Sequence, residues 1–338
     1  EAVAIGYEPL DAVSLESASK QGAPAVWADA PDNVSFRLAR GDARAAADAI
    51  ARADHVTRLA VRYPRVSANP IEPRSSIGVY DPGERRYTLY ASTQAPHRVK
   101  EVLCPLLGLA DNALRVVAPD IGGAFGMKGQ IYPEDALVLW AAGRIGRPVK
   151  WTADRSESFM SDMHGRDLVA RAELALRADG RILALRVAVE VNVGAYLGYS
   201  GGVSPTNAAI SYSSVYDIPA IHAEVKAVFT HTAPIGPYRG SGKPEANYVT
   251  ERIVDKAARE MGLDPVAVRR MNLVTPAQMP YRTPGGFTYD CGDFPAIFER
   301  ALERADWRGF ADRRAASGRR GVLRGIGIGL HCQCSGNQ

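Results

Sequence analysis

The most constraining feature of the sequence is a pair of long apolar-rich segments, Leu168–Leu176 and Ile182–Val193. The short stretch Ala178–Gly180 (ADG) lies between them. Asp-Gly between two hydrophobic runs is a strong short-range signal for a β-hairpin, because these residues adopt the turn conformations that antiparallel strands require. The sequence therefore predicts a long hairpin and a fold that contains a sheet.

Helical patterns are mixed with the strand patterns along the chain. Glu245–Met261 has apolar residues at helical spacing and is followed by a glycine, Asp264–Asn272 begins with an N-cap aspartate and a proline, and Pro295–Ala305 is a third helix. This mixture predicts an α+β (mixed α/β) architecture. Further strands are predicted at Val34–Leu38, Val56–Val61, Ile77–Tyr80, Tyr87–Ala91, Leu114–Ala118, Val149–Thr152, Ile221–Phe229 and Gly325–Leu330. Further helices are predicted at Asp42–Ala51 and after Pro96 and Pro133. Arg313–Arg324 is predicted to be an arginine-rich joint between elements.

The helix after Pro133 is the most apolar one. Its body, Ala136–Ala142 (ALVLWAA), is hydrophobic nearly all round, which predicts a buried helix, closed by Gly143 and Gly146. At the level of domains, we expect a linker or the tail of a preceding domain at 1–34. Two parts of one cofactor-binding domain would follow at 35–160 and 161–338.

Composition and charge exclude several classes of protein. A net charge of +4 over 338 residues is too small to indicate a nucleic-acid partner. No run approaches the roughly 20 apolar residues of a membrane helix. The opening residues lack both a signal-peptide pattern and an initiator methionine, so we expect part of a longer chain. Four scattered cysteines do not form a disulfide framework, which predicts a cytoplasmic location.

The loop Pro119–Gln130 (PDIGGAFGMKGQ) is the most informative segment for function. It connects a predicted strand to a predicted helix, and its glycines allow the backbone to approach a ligand and offer amide donors to anionic or oxo groups. It is not a nucleotide-binding P-loop, because Gly129 follows Lys128 where Ser or Thr is required. A tight connection without a ligand remains the alternative.

A second glycine-rich loop, Pro237–Glu245 (PYRGSGKPE), also precedes a helix. Arg239 would present its guanidinium to an oxyanion there, or would simply be exposed. Gln94, in the segment before Pro96, offers both a donor and an acceptor, and its alternative role is a helix cap. Two such loops in one chain favour a shared cofactor or anion pocket.

Several other polar residues are candidates with a structural alternative. His97 and His164 would titrate near neutral pH, but each stands alone in the sequence. The segment His331–Cys334 (HCQC) lacks the second ligand pair of a zinc site. The acids that would serve acid–base chemistry, and that are equally suited to salt bridges, are Glu72, Asp154, Glu157 and Glu251.

Taken in order, six segments resemble the molybdenum-binding large subunit of the xanthine dehydrogenase, aldehyde oxidase and carbon monoxide dehydrogenase family. The segments are Pro70–Pro73 (PIEP), Ser92–His97 (STQAPH), Asp120–Lys128 (DIGGAFGMK), Val149–Trp151 (VKW), Asp154–Glu157 (DRSE) and Tyr238–Ala246 (YRGSGKPEA). The resemblance covers nearly the whole chain and is specific because several long motifs occur in the family's order. It implies an incomplete molybdopterin-binding domain of the molybdenum hydroxylase type.

The resemblance also implies cofactors and partners. The cofactor would be molybdopterin in its cytosine dinucleotide form, carrying molybdenum, with FAD and 2Fe-2S clusters on partner subunits that join an oligomer. The family's general-base glutamate belongs to a carboxyl-terminal half that would follow Gln338, so no catalytic residue is expected in this chain. A small molecule, neither a nucleic acid nor a membrane, would be the substrate.

Motif by motif, the resemblance implies which residues surround the cofactor. It implies no side chain that binds the metal directly. The residues implied to contact the cofactor are Gln94, Gly122, Gly123, Ala124, Phe125, Gly126, Arg239 and Gly240. Ser241 falls at a substrate-facing position of the family pattern.

Three departures from the family pattern bear on the substrate. Gly129 stands where purine hydroxylases have an acid, and Gly240 stands where the copper-binding cysteine of the carbon monoxide enzyme would fall. A glutamine of the purine enzymes is replaced near Val66. The leading hypothesis is therefore a hydroxylase of aldehydes or N-heterocycles that takes its oxygen from water. A non-catalytic assembly module and a phosphate-binding transferase are the alternatives.

Overall fold

A computed structural model describes residues 4–18, 20 and 22–333. The helices are α1 (Ala43–Ala51), α2 (Pro96–Leu106), α3 (Pro133–Ile145), α4 (Arg155–Ser161), α5 (Val203–Ser211), α6 (Lys243–Glu260), α7 (Pro265–Asn272), α8 (Phe294–Arg304) and α9 (Phe310–Gly318). The strands are β1 (Val34–Gly41), β2 (His55–Val66), β3 (Ser75–Asp81), β4 (Arg86–Ala91), β5 (Leu114–Val117), β6 (Val149–Thr152), β7 (Gly165–Leu176), β8 (Ile182–Gly194), β9 (Ala220–Phe229), β10 (Tyr281–Arg282) and β11 (Thr288–Tyr289).

The larger sheet is built around the predicted hairpin. Strands β7 and β8 pair antiparallel, and their turn is closed by a hydrogen bond from the Arg177 amide to the Arg181 carbonyl. The strand order is β1-β9-β8-β7-β2, and β8 runs parallel to β9. A parallel pair requires a crossover connection, which α5 provides here. The mixed α/β prediction is therefore confirmed.

Helix α6 forms the core with the larger sheet. Its buried residues include Val249, Ile253 and Ala257, at the helical spacing that the sequence predicts, and it packs against β2, β7 and α5. The Asp264 side chain accepts hydrogen bonds from the amides of Val266 and Ala267 and so caps α7, as predicted. These apolar contacts fix the start of α6, and with it the second glycine-rich loop.

A smaller sheet has the strand order β5-β4-β3-β6, with β4 parallel to β5. Helix α3 lies against β3 at Gly78, where a Cβ atom would fall 2.4 Å from the Val138 carbonyl oxygen. The absence of a side chain at Gly78 therefore allows the close contact between helix and strand. The first glycine-rich loop connects β5 of this sheet to α3.

Helix α3 differs from its prediction. Val138, Leu139 and Ala142 are buried, but Leu137 and Trp140 are 57% and 54% exposed. One face of the helix packs on β3, whereas the other faces no element within the described ranges, and periodicity alone does not report which faces are covered. Of the two glycines predicted to close α3, Gly146 caps its end, whereas the helix continues past Gly143 to Ile145. Helix α3 is therefore half-buried and not fully buried. 

Two regions near the end of the chain also differ. The predicted joint Arg313–Arg324 contains most of helix α9, and Gly325–Leu330 forms no strand because no strand of the described residues pairs with it. The sequence analysis missed α4 and α5, since α4 is short and α5 is rich in residues with weak helix propensity. Tertiary packing against β9 and α6 compensates for this weakness in α5.

Parts of the amino-terminal segment pack on the larger sheet. Val13, Leu15 and Ala18 are buried in one cluster with Val228 of β9. The assignment of 1–34 to a linker or tail, and the division at 160, stay predictions. Within the described part of the chain, every helix is too short or too polar to cross a bilayer.

Candidate functional site

The first glycine-rich loop has an unusual backbone conformation. Phe125 has φ +55° and Gly126 has φ +102°, so two consecutive residues lie at positive φ. A Cβ atom at Gly126 would fall 2.3 Å from the carbonyl oxygen of Pro237 in the second loop. Position 126 therefore requires glycine, both for its backbone conformation and for the close approach of the two loops.

Gln94 is part of the same arrangement. Its side-chain Oε1 atom accepts a 2.9 Å hydrogen bond from the Gly126 backbone amide. The backbone amide of Gln94 donates to the Lys128 carbonyl at 3.0 Å. The Thr93 hydroxyl donates to that carbonyl as well. The segment before α2 thus holds both sides of the bend at Gly126.

The two glycine-rich loops touch each other. The Arg239 amide donates a 3.0 Å hydrogen bond to the carbonyl oxygen of Phe125. Residues that are far apart in the sequence therefore belong to one local structure. This contact brings together Gln94, the first loop and the second loop.

Arg166 supports the second loop and was missed by the sequence analysis. Its guanidinium donates to the carbonyls of Tyr238 and Arg239 at 3.3 and 3.1 Å, and it pairs with Glu245 at 2.9 Å. Burial raises the pKa of the Glu245 carboxyl, which the Arg166 charge partly offsets. An arginine at the start of a strand gives no sequence signal for this role, because its partners come from a distant loop.

Ser241 lies at the end of the second loop. Its hydroxyl is 3.0 Å from that of Ser204, and its carbonyl accepts a 3.1 Å hydrogen bond from Asn207 Nδ2. Both partners belong to α5. The sequence analysis therefore missed the helix that orients this hydroxyl.

Several hydrogen-bond donors of the site lack a protein partner. Among residues 4–18, 20 and 22–333, no atom accepts a hydrogen bond from the amides of Ala124, Phe125 or Gly240. The same holds for the Gln94 side-chain nitrogen and for the exposed guanidinium of Arg239. Clustered amide and guanidinium donors bind anionic and oxo groups. This donor set fits a cofactor that carries oxo and phosphate groups.

Residues 26–273 match the family described as "Molybdopterin cofactor-binding domain". The chain belongs to this family. The predicted molybdopterin-binding domain is thereby confirmed, and the large subunits among the relatives of this chain confirm the resemblance to the molybdenum hydroxylases.

Individual relatives of this molybdopterin-binding chain include large subunits of several enzymes. It is 36% identical to the carbon monoxide dehydrogenase large chain of Hydrogenophaga pseudoflava, over 97% of this chain and 43% of the relative. It is 32% identical to the nicotine 6-hydroxylase large subunit of Paenarthrobacter nicotinovorans, over 99% of this chain and 41% of the relative. The chain thus spans about two fifths of the length of these relatives.

A solved structure has the same fold. Quinoline 2-oxidoreductase from Pseudomonas putida 86 superimposes with a TM-score of 0.88 at 31% identity, covering 94% of this chain and 40% of that chain. The fold of this chain is therefore that of about two fifths of the quinoline 2-oxidoreductase chain.

Lys128 of the first glycine-rich loop is not available to a ligand. Its side chain is fully buried and pairs with Glu72 at 3.4 Å. Burial lowers the pKa of the Lys128 amine, and the Glu72 charge partly offsets this. A ligand at the first glycine-rich loop would meet its backbone amides and not this amine.

Most of the remaining candidate residues have structural partners. Burial lowers the pKa of His164, whose ring lies 3.0 Å from the Phe159 carbonyl, and His97 is exposed. Asp154 caps α4, and Glu251 pairs with Arg269. No group of three or more potential metal ligands occurs in the described part of the chain, and Cys334 lies outside it.

Proposed function

We propose that this chain supplies part of the cofactor site of a molybdenum hydroxylase large subunit. The enzyme would hydroxylate an aldehyde or an N-heterocycle, with water as the oxygen source. The observation that carries the proposal is the hydrogen bond from Arg239 to Phe125, because it joins the two loops whose free donors suit a cofactor with oxo groups.

The proposed role of the chain is to position and stabilise charge. When bound, the molybdenum cofactor supplies a redox-active metal and a pterin. The amides of Ala124 and Phe125 would donate to its electronegative atoms, and Arg239 would add a fixed positive charge. Because the Gly126 amide donates to Oε1 of Gln94, the orientation of this side-chain amide is fixed, and its nitrogen would be the atom that donates to the cofactor. Fixed donors of this kind stabilise developing negative charge at little cost in reorganisation.

Ser241 is proposed to face the substrate. Its hydroxyl shares one hydrogen bond with the Ser204 hydroxyl. The other proton of these two hydroxyls, and their unused lone pairs, would orient a polar atom of the substrate. The gain would be in orientation and not in proton transfer, because no acid or base contacts Ser241 among the described residues.

The substrate class rests on positions 129 and 240. A Cβ atom at Gly129 would lie 3.9 Å from Oε1 of Gln94, so this position adjoins the site and the acid typical of purine hydroxylases is missing there. Gly240 has no thiol to bind copper, which disfavours carbon monoxide as the substrate despite the carbon monoxide dehydrogenase relatives. The relatives named for nicotine and quinoline support an N-heterocycle.

The general base is proposed to be a glutamate from the remaining part of the large subunit. Glu72, an acid that contacts the first glycine-rich loop, already pairs with Lys128. The cofactor is proposed to be in its cytosine dinucleotide form. The FAD and the 2Fe-2S clusters are proposed to lie on partner subunits, and the oligomer that they form with this chain is proposed to be cytoplasmic. The names "large chain" and "large subunit" of the relatives are in accord with such partners.

Expression of the chain with the rest of its complex tests the proposal. The measurements are the molybdenum content, the pterin content by mass spectrometry, and dye reduction with quinoline, nicotine, benzaldehyde and carbon monoxide. Molybdenum with turnover of a heterocycle or aldehyde supports the proposal. An assembled complex that contains no molybdenum or pterin refutes it and leaves the assembly-module alternative.

A further inference from the structure

Glu72 contacts both sides of the first glycine-rich loop. One oxygen of its carboxylate accepts a hydrogen bond from the Gly122 amide, and the other lies 3.4 Å from Nζ of Lys128. The Glu72 amide also donates to the Gly122 carbonyl at 3.2 Å. A single residue from outside the loop therefore holds the loop at its beginning and near its end.

Lys128 has a strong physical reason to keep this partner. Its side chain is fully buried, and within the described ranges Nζ has no hydrogen-bond partner and no ion pair besides the one with Glu72. A buried charge without a counter-charge is costly. The position of Lys128, two residues after Gly126 of the bend, is thus tied to the position of the Glu72 carboxylate.

Arg155 holds the segment that presents Glu72. Its guanidinium donates to the carbonyls of Pro70 and Ile71 at 2.6 and 3.1 Å. These bonds fix the backbone immediately before Glu72. The backbone that carries the Glu72 carboxylate is therefore held in position by Arg155.

We propose that Glu72 is a positioning residue that gives the first glycine-rich loop its cofactor-binding shape in the absence of any ligand. It acts through Gly122 and Lys128, so that the free amides of Ala124 and Phe125 are already arranged when a ligand arrives. Prearranged donors lose less free energy on binding than donors that must be ordered. The inference deepens the proposed function and rests on it only for the identity of the ligand.

The test uses the full 338-residue chain, labelled with 15N-glycine and free of cofactor. Amide hydrogen exchange at Gly122 and Gly126 is compared between wild type and Glu72→Gln, which keeps the side-chain size but removes the charge. Exchange at both positions should accelerate by about tenfold or more, because hydrogen bonds to charged groups are the stronger ones. The Gly122 amide resonance should also shift, since its acceptor changes from a carboxylate to a neutral amide.

Two controls separate positioning from general stabilisation. The Gly146 amide, which donates to Ala142 at the end of α3, should keep its exchange rate in the variant. Glu299→Gln, which removes the exposed partner of Arg270, should change neither Gly122 nor Gly126. Equal acceleration at Gly146, or unchanged exchange and chemical shift at Gly122 and Gly126, would overturn the inference.

A second measurement links the loop to its ligand. In the assembled complex, Glu72→Gln should lower the molybdenum and pterin content several-fold, and Glu72→Asp, which keeps the charge on a shorter side chain, should restore part of it. If the wild-type complex contains no cofactor, the proposed function fails while the exchange result still stands. Full cofactor content in Glu72→Gln overturns the link to the ligand.

Discussion

The Arg239 amide donates a 3.0 Å hydrogen bond to the Phe125 carbonyl, although the two residues belong to loops that follow different sheets. Phe125 has φ +55°, a conformation that costs a non-glycine residue free energy. The contact with Arg239 and the bond from Gly126 to Gln94 help to offset this cost. The site is therefore a junction of three segments, and changes at that junction are the most informative tests.

Gly126→Ala should disrupt the junction. An added methyl group would meet the Pro237 carbonyl oxygen at 2.3 Å, and alanine is unfavourable at φ +102°. We expect a loss of about 2–3 kcal/mol in the free energy of unfolding and loss of the pterin. The matched control is Gly146→Ala, which has φ +66° but open space around it and should cost only about 1–2 kcal/mol. Urea unfolding and mass spectrometry check both variants, and equal losses in the two would contradict the prediction.

Gln94→Leu should separate cofactor binding from stability. The substitution removes the acceptor for the Gly126 amide and the free side-chain donor, but the side chain is exposed and its loss should change stability by no more than about 1 kcal/mol. The cofactor content should fall several-fold. His97→Leu, at an exposed position of the following helix, is the control and should retain the cofactor. A Gln94→Leu complex with full pterin and molybdenum content would show that Gln94 does not bind the cofactor.

Asp135→Asn should alter the dependence of stability on pH. Burial raises the pKa of the Asp135 carboxyl even though Ser76 donates a hydrogen bond to it and Arg74 lies nearby. The folded protein therefore keeps this proton to a higher pH than the unfolded chain, whose Asp pKa is about 3.9. The resulting stabilisation is complete below about pH 4 and is lost as the pH rises through the folded-state pKa.

The asparagine side chain has no proton to lose and still offers an oxygen to Ser76. The free energy of unfolding of Asp135→Asn, relative to wild type, should therefore rise between pH 4 and pH 7. Urea titrations at several pH values measure it. A constant difference between the two proteins over this range would mean that the Asp135 pKa is not raised.

Trp140→Gln should have little effect on the stability of this chain. Trp140 lies on the exposed face of α3, where substitutions usually change the free energy of unfolding by no more than about 0.5 kcal/mol. Leu139→Ala, one residue away on the buried face, should cost about 2–5 kcal/mol. Thermal and urea unfolding of both variants measure the contrast. Comparable losses at the two positions would place Trp140 in a packed environment.

The sequence by itself determined the local elements of this protein. The hairpin of β7 and β8, the buried face of α6, the capped start of α7 and the two glycine-rich bends were all predictable, because periodicity, capping residues and turn residues act over a few positions. The family resemblance also followed from the order of the motifs. The order of the motifs therefore also predicts which residues lie near a cofactor, from Gln94 to Arg239.

Only the tertiary structure decided which of these elements meet. It placed Arg239 on Phe125, gave Lys128 the partner Glu72, and left one face of α3 exposed. It also made a helix of the weak segment Val203–Ser211, because a parallel pair of strands needs a crossover, and left Gly325–Leu330 without a strand to pair with. The physical reason is that burial, ion pairing and strand pairing depend on neighbours distant in sequence, which a local pattern does not specify.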